Sequence, residues 1–266
     1  MAADKTLAVI KIGGAALESR AGFKELAGAV GGLAGRAIIV HGGGPVLDQL
    51  QRRLGQTPVK VAGMRRTDDA TLESALMTLC GSVNKRLVAG LLKADVPAFG
   101  LSGIDGGVLR CRKLQLADVD LGRVGEIVDV GTDLLLGLLD LDLVPVMASL
   151  SLGLDGRPYN VNADQAAGAV ARAMGADRLY FVSDVAGILV QGSPITELDE
   201  DEIGRLVEAG DIHQGMLPKV QAALGALRSG VPEVRIVDLW GLSHGGGTAI
   251  RMAERTISSN RGGKTS

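Results

Sequence analysis

The residues of this chain best suited to chemistry are two lysines, an aspartate and two glycine turns. Lys11 stands two residues ahead of Gly13 and Gly14, at the end of the apolar run Leu7–Ile12. A second apolar run, Ala37–Val40, stops at His41 and passes through Gly42, Gly43 and Gly44. A strand that ends in glycines and leads into a helix presents free N–H groups at the positive end of that helix. Without Cβ atoms in the way, phosphate oxygens can approach the backbone closely. One such turn reads as a tight connection; two, one with a lysine beside it, point to anion binding. Lys219, in "HQGMLPKVQAA", lies near a helix start, where a cation gains nothing from the helix dipole, so a nearby anion is expected. Asp164, in "YNVNADQAAGAVA", follows Asn160 and Asn162 ahead of a helix and, taken alone, reads as its cap.

Other chemistries find no support. There is no G-x-G-x-x-G, H-E-x-x-H or G-x-S-x-G, and "GGKT" at Gly262–Thr265 imitates a P-loop without a preceding strand. Cys80 and Cys111 have no metal or redox spacing and are expected to be buried thiols in a reducing compartment. The net charge of -2 gives no reason to expect nucleic acid or an acidic membrane surface as partner. Asp4 and Lys5 interrupt any signal-like segment, and Asp133, Asp140 and Asp142 interrupt the most apolar region, so no membrane span is expected. A cytoplasmic protein with a disordered polar tail over 258–266 is expected.

These residues need elements to hold them. Continuous apolar runs at Leu7–Ile12, Ala37–Val40, Leu143–Leu150, Arg178–Val182 and Val234–Val237 suit strands covered on both faces. Helical patterns lie between them. The longest starts at Leu72 and repeats through Leu76, Leu79, Val83, Leu87 and Leu91. Pro45 fits the first turn of another, and "DQAAGAVARAMG" and "MLPKVQAALGALRSG" each close on glycine. The alternation predicts an α/β fold, a three-layer αβα sandwich with a mainly parallel central sheet. The alternating stretches Pro58–Val61 and Leu121–Val130 are expected to form hairpin arms. With 39 glycines and only 2% aromatic residues, the core must be packed from Ala, Val, Leu and Ile.

In sum, the stretches "KIGGAAL", "VHGGGP", "GMRRTD", "GLSGIDGG", "LGRVGEI", "NVNADQAA", "SDVAGIL", "GMLPKV" and "GTAI" resemble the amino-acid kinase family, in the family's order and over nearly the whole chain. Within it they are similar to the branch that phosphorylates N-acetyl-L-glutamate. The resemblance implies an N-lobe (1–176) that binds the acyl substrate and forms the dimer, and a C-lobe (177–257) that binds ATP with Mg²⁺ carried on its phosphates. It implies that Lys11 and Lys219 stabilise the phosphoryl group in transfer and that Asp164 holds both lysines. Gly43, Gly44, Arg65, Asn160 and Asn162 would bind the substrate. Gly13, Gly14, Ser183, Asp184, Val185, Ala186, Gly187 and Ile188, with Asp211, Ile212 and His213, would bind the nucleotide.

The residue inventory suits a carboxylate acceptor. A side-chain carboxylate has a pKa near ~4.3 and is already ionised at neutral pH, so it needs no general base. Lysines and glycine N–H groups then supply the electrostatic stabilisation that in-line transfer requires. Arg65 and Arg66 both remain candidates for the carboxylate fork, since the family usually has an aliphatic residue where Arg66 stands. Two alternatives accompany this reading: a kinase acting on carrier-linked aminoadipate or glutamate, and a non-catalytic nucleotide or effector sensor. Relatives inhibited by arginine carry an extra N-terminal helix that links dimers into rings. Only "MAADKT" precedes Leu7 here, which is at most about 9 Å of helix. A homodimer insensitive to arginine is therefore expected.

Overall fold

The computed structural model describes residues 6–13, 20–33, 35–61, 63–116, 119–190, 192–212 and 216–253. The apolar runs form an eight-stranded sheet. In spatial order its strands are Glu197–Leu198, Thr248–Arg251, Glu233–Val237, Arg178–Val182, Thr6–Ile12, Gly35–His41, Val144–Ala148 and Ala98–Ser102. Neighbours run parallel except Glu233–Val237 and Thr248–Arg251. Side chains alternate across this sheet. Val9, Ile38 and Val40 pack with helices Asp133–Asp140, Ala163–Ala173 and Leu217–Arg228 on one face. Ala8, Ile10, Ile12 and Ile39 pack with helices Arg20–Gly32, Asn84–Lys93 and Leu239–His244 on the other. Both faces are covered, which is why the strands are continuously apolar. The result is the expected three-layer α/β arrangement.

Two stretches differ from expectation. Leu143–Leu150 is not one strand. Val144–Ala148 belongs to the large sheet, whereas Leu150–Gly153 joins a second, four-stranded sheet with Pro158–Asn160, Leu109–Lys113 and Gly125–Val130. Ser149 is the joint: its N–H donates to the His41 carbonyl on one side, and its carbonyl accepts from Val161 on the other. Hydrogen-bond partners, not side-chain pattern, divide the run.

The long helix keeps its expected apolar face but not a uniform α-helical geometry. It starts at Asp69, capped by the Asp68 carboxylate on the Thr71 N–H at 2.8 Å, and continues to Lys93. Its middle, Leu76–Val83, is π-helical, yet the expected positions Leu72, Leu79, Val83, Leu87 and Leu91 are all buried. The Pro58–Val61 arm is shorter than expected, with Lys60–Val61 pairing Met64–Arg65. In Leu121–Val130 only Gly125–Val130 is strand, and it pairs Leu109–Lys113. Cys111 is buried, but Cys80 is half-buried rather than fully enclosed.

Candidate active site

The site grows from the C-terminal ends of two adjacent strands. Thr6–Ile12 and Gly35–His41 are paired so that Ile12 faces His41, which sets Gly13 beside the start of the Gly42–Gly44 turn. Gly43 has φ 153°, and a Cβ there would lie 2.7 Å from Leu79 Cδ2 in the π-helical segment. No side chain fits, so the turn stays open. Gly44 then begins the helix Gly44–Arg53, with Pro45 in its first turn.

His41 itself was not marked as a site residue by sequence. It is fully buried, its Nδ1 lies 2.8 Å from the Gly42 carbonyl oxygen, and its Nε2 lies 3.1 Å from Asn84 Nδ2. A carbonyl only accepts, so Nδ1 carries the proton and Nε2 accepts from the asparagine. Burial pushes the imidazole down to about 4, and the hydrogen bond to Gly42 opposes this only in part. A histidine between an apolar strand and three glycines was the available signal.

Lys11 Nζ lies 2.8 Å from Asp164 Oδ1, with both side chains largely enclosed. Asp164 does not cap its helix. Asn162 does, its Oδ1 accepting from the Asp164 N–H at 2.7 Å and the Gln165 N–H at 3.3 Å. The cap is thus supplied two residues earlier, and the aspartate is left to the lysine. Lys219, in the first turn of Leu217–Arg228, lies 3.7 Å from Asp184 Oδ1 instead. Asp184 is held below the usual carboxylate range by its own backbone N–H and by the Ser183 hydroxyl, with Lys219 adding to this.

Asn162 and Asp164 line a cleft of about 640 Å³ with Pro218, and two further clefts hold most of the other expected site residues. One, of about 180 Å³, is lined by Gly43, Gly44, Arg65, Asn160 and Asn162 among others. Its Arg65 guanidinium is 8% exposed and is pinned on three sides. Nη1 donates to Gln51 Oε1 at 2.6 Å, Nη2 donates to the Gly44 carbonyl at 3.3 Å, and Asp48 pairs with Nη2. Arg66 is exposed and does not line this cleft. The second cleft, of about 340 Å³, is lined by Asp184, Val185, Gly187, Ile188, Asp211, Ile212 and Lys219, with Leu189 and Met216. Ser183 and Ala186 lie in the same turn without lining it. At Gly187, φ is 147° and a Cβ would lie 2.7 Å from Thr248 Oγ1, which accepts the Ile188 N–H. Gly13 sits at the strand end, its Cβ position 3.8 Å from Lys11 Nζ. Gly14, His213 and the tail 258–266 lie outside the described residues.

A cleft at the Gly42–Gly44 turn, a second cleft that includes Lys219, and the Lys11–Asp164 pair form an arrangement suited to moving an anionic group between two ligands. The chain belongs to the amino acid kinase family, which it matches over residues 6–238. It is 47% identical over 251 residues to the acetylglutamate kinase of Roseiflexus sp. (strain RS-1), covering 94% of this chain and 96% of that protein. It is 44% identical over 250 residues to the acetylglutamate kinase of Chloroflexus aurantiacus, covering 94% and 98%. Among solved structures it is similar to smu.665 from Streptococcus mutans, with a TM-score of 0.78 at 27% identity, covering 93% of this chain and 99% of that one.

Proposed function

We propose that this chain transfers the γ-phosphoryl group of ATP to the side-chain carboxylate of N-acetyl-L-glutamate, forming an acyl phosphate in arginine biosynthesis. The observation that supports the reading is the Lys11–Asp164 pair at the strand end beside the Gly42–Gly44 turn, together with a separate cleft lined by Lys219 and Asp184. Its chemical identity follows from the relatives that bear this name over nearly the whole chain. The carrier-linked alternative is not favoured.

The acyl substrate occupies the smaller cleft in this reading. Arg65 faces its α-carboxylate with a planar, pre-oriented guanidinium, and Asn160 contributes an amide. The nucleotide occupies the cleft of Asp184–Ile188 and Asp211–Ile212. Lys11 and Lys219 neutralise charge on the phosphoryl oxygens from opposite sides, and the Gly43–Gly44 turn adds backbone N–H groups. Asp164 orients Lys11. The acceptor is already ionised, so no residue has to remove a proton. Mg²⁺ arrives on the nucleotide phosphates and screens their charge.

The N-lobe and C-lobe boundary near residue 176 follows this division of clefts. We assign the protein to the cytoplasm, supported by its two free thiols; no described helix is long and apolar enough to cross a membrane. We also assign a homodimer built on the long helix.

The deciding assay traps acyl phosphate as hydroxamate, with purified protein, ATP and Mg²⁺. Acetylglutamate is compared with glutamate, aspartate, carbamate and carrier-linked aminoadipate. Hydroxamate from acetylglutamate well above the others is the expected result. Turnover of another acceptor alone, or of none, overturns the assignment.

A further inference from the structure

Three segments far apart in sequence meet at Thr67, which is fully buried. Its hydroxyl donates to the Arg65 carbonyl at 3.0 Å and accepts from Asn160 Nδ2 at 3.2 Å. Its N–H donates to the Leu121 carbonyl at 2.8 Å, and its carbonyl accepts from the Arg123 N–H at 2.6 Å. The Arg123 carbonyl in turn accepts from the Asn160 N–H at 2.9 Å. Gly122 lies so close that a Cβ there would be 2.3 Å from the Thr67 oxygen, and its φ is +74°. The motifs "GMRRTD", "LGRVGEI" and "NVNADQAA" are therefore stitched together at one residue.

The elements that carry Arg65 and Asn160 are short and lie at margins, one in a two-stranded hairpin and one at the end of the small sheet. Met64–Arg65 is a two-residue strand and Pro158–Asn160 a three-residue one. An isolated two-stranded hairpin such as the one that carries Arg65 is at best marginal without outside support. A hydroxyl has one proton to give and lone pairs to offer, and Thr67 uses both kinds on the two sides of the same cleft. Its bond to Nδ2 also fixes which end of the Asn160 amide is committed to the protein.

We propose that Thr67 is a positioning residue for the acyl cleft, its hydroxyl locking Arg65 and Asn160 into one rigid wall. This rests on the acetylglutamate reading above. Thr67→Val keeps the shape and removes both hydrogen bonds, leaving Asn160 Nδ2 and the Arg65 carbonyl without this partner. Thr67→Ser keeps both.

The experiment measures KM and kcat for both substrates, with thermal melts of each variant. Thr67→Val is expected to raise KM for acetylglutamate about tenfold or more while KM for ATP stays within about twofold, and Thr67→Ser is expected to restore it. A merely structural role would lower Tm and the active fraction but leave KM unchanged. An acetylglutamate KM in Thr67→Val within about twofold of the parent value, or an equal rise for both substrates, overturns the proposal. Should Thr67→Val not fold, Thr67→Ala takes its place with the same criteria. Wild-type protein that does not phosphorylate acetylglutamate defeats the functional reading itself, before any variant is compared. An effect in Asn160→Ala without one in Thr67→Val defeats only the role of Thr67.

Discussion

Lys11 and Asp164 form an ion pair of 2.8 Å between the end of one strand and the first turn of a helix on the sheet's face. The pair fixes the lysine beside Gly13 before any ligand is present. Lys11→Met is expected to lower kcat by ~10²-fold or more with a smaller change in KM for ATP, as befits charge stabilisation made in the transition state. Lys219→Met should act alike from the other side. Steady-state kinetics by hydroxamate trapping decides, and an unchanged kcat in either variant removes that lysine from the mechanism.

Arg65 is held by Asp48, Gln51 and the Gly44 carbonyl, and Arg66 is exposed. Arg65→Lys loses the planar fork and is expected to raise KM for acetylglutamate strongly, with KM for ATP nearly unaltered. Arg66→Lys should do neither. The reverse pattern would move the carboxylate fork by one residue.

His41 makes stability depend on pH. The unfolded chain takes up a proton near 6.5, whereas the buried imidazole resists it until about 4. The unfolded state therefore binds more protons in this window. Stability is full above about 6.5 and falls by roughly 3 kcal/mol as pH drops from there to about 4. Thermal melts across this range should show the loss, and His41→Gln should flatten it. An equally steep fall in the variant would assign the effect to other groups.

The long helix offers a surface for a second copy. A groove of about 570 Å³ beside it is lined by Val46, Leu50, Met77, Arg53 and Arg86, and Met77 is 55% exposed. In the proposed two-fold dimer the same patch of each copy would meet its counterpart. Light scattering should give twice the chain mass, and Met77→Lys should shift it toward monomer. A wild-type monomer or hexamer would contradict the assignment.

Much of this was legible in the sequence, for identifiable reasons. Leu179–Val182 was readable because a strand segment covered on both faces is apolar at every position. The glycine turns were readable because Gly43 tolerates no Cβ against Leu79. What escaped was set by partners distant in the chain. The break at Ser149 depends on His41 and Val161, and the neutral state of His41 depends on its complete burial among distant elements. The π-helical turn at Leu76–Val83 leaves the apolar spacing intact and so leaves no trace in it. Asp164 read as a cap because nothing in a linear string shows that Asn162 has already filled that role.

The Ser149 joint has a mechanical consequence. One uninterrupted peptide, Val144–Gly153, serves as a strand of the large sheet and then of the small one, with a single residue between. A turn that short leaves no slack, and Ser149 is hydrogen-bonded on both sides. The floor of the acyl cleft is thereby welded to the strand next to the glycine turn. On its Ser149 side that cleft is therefore an anvil, kept in register with the strand beside the glycine turn.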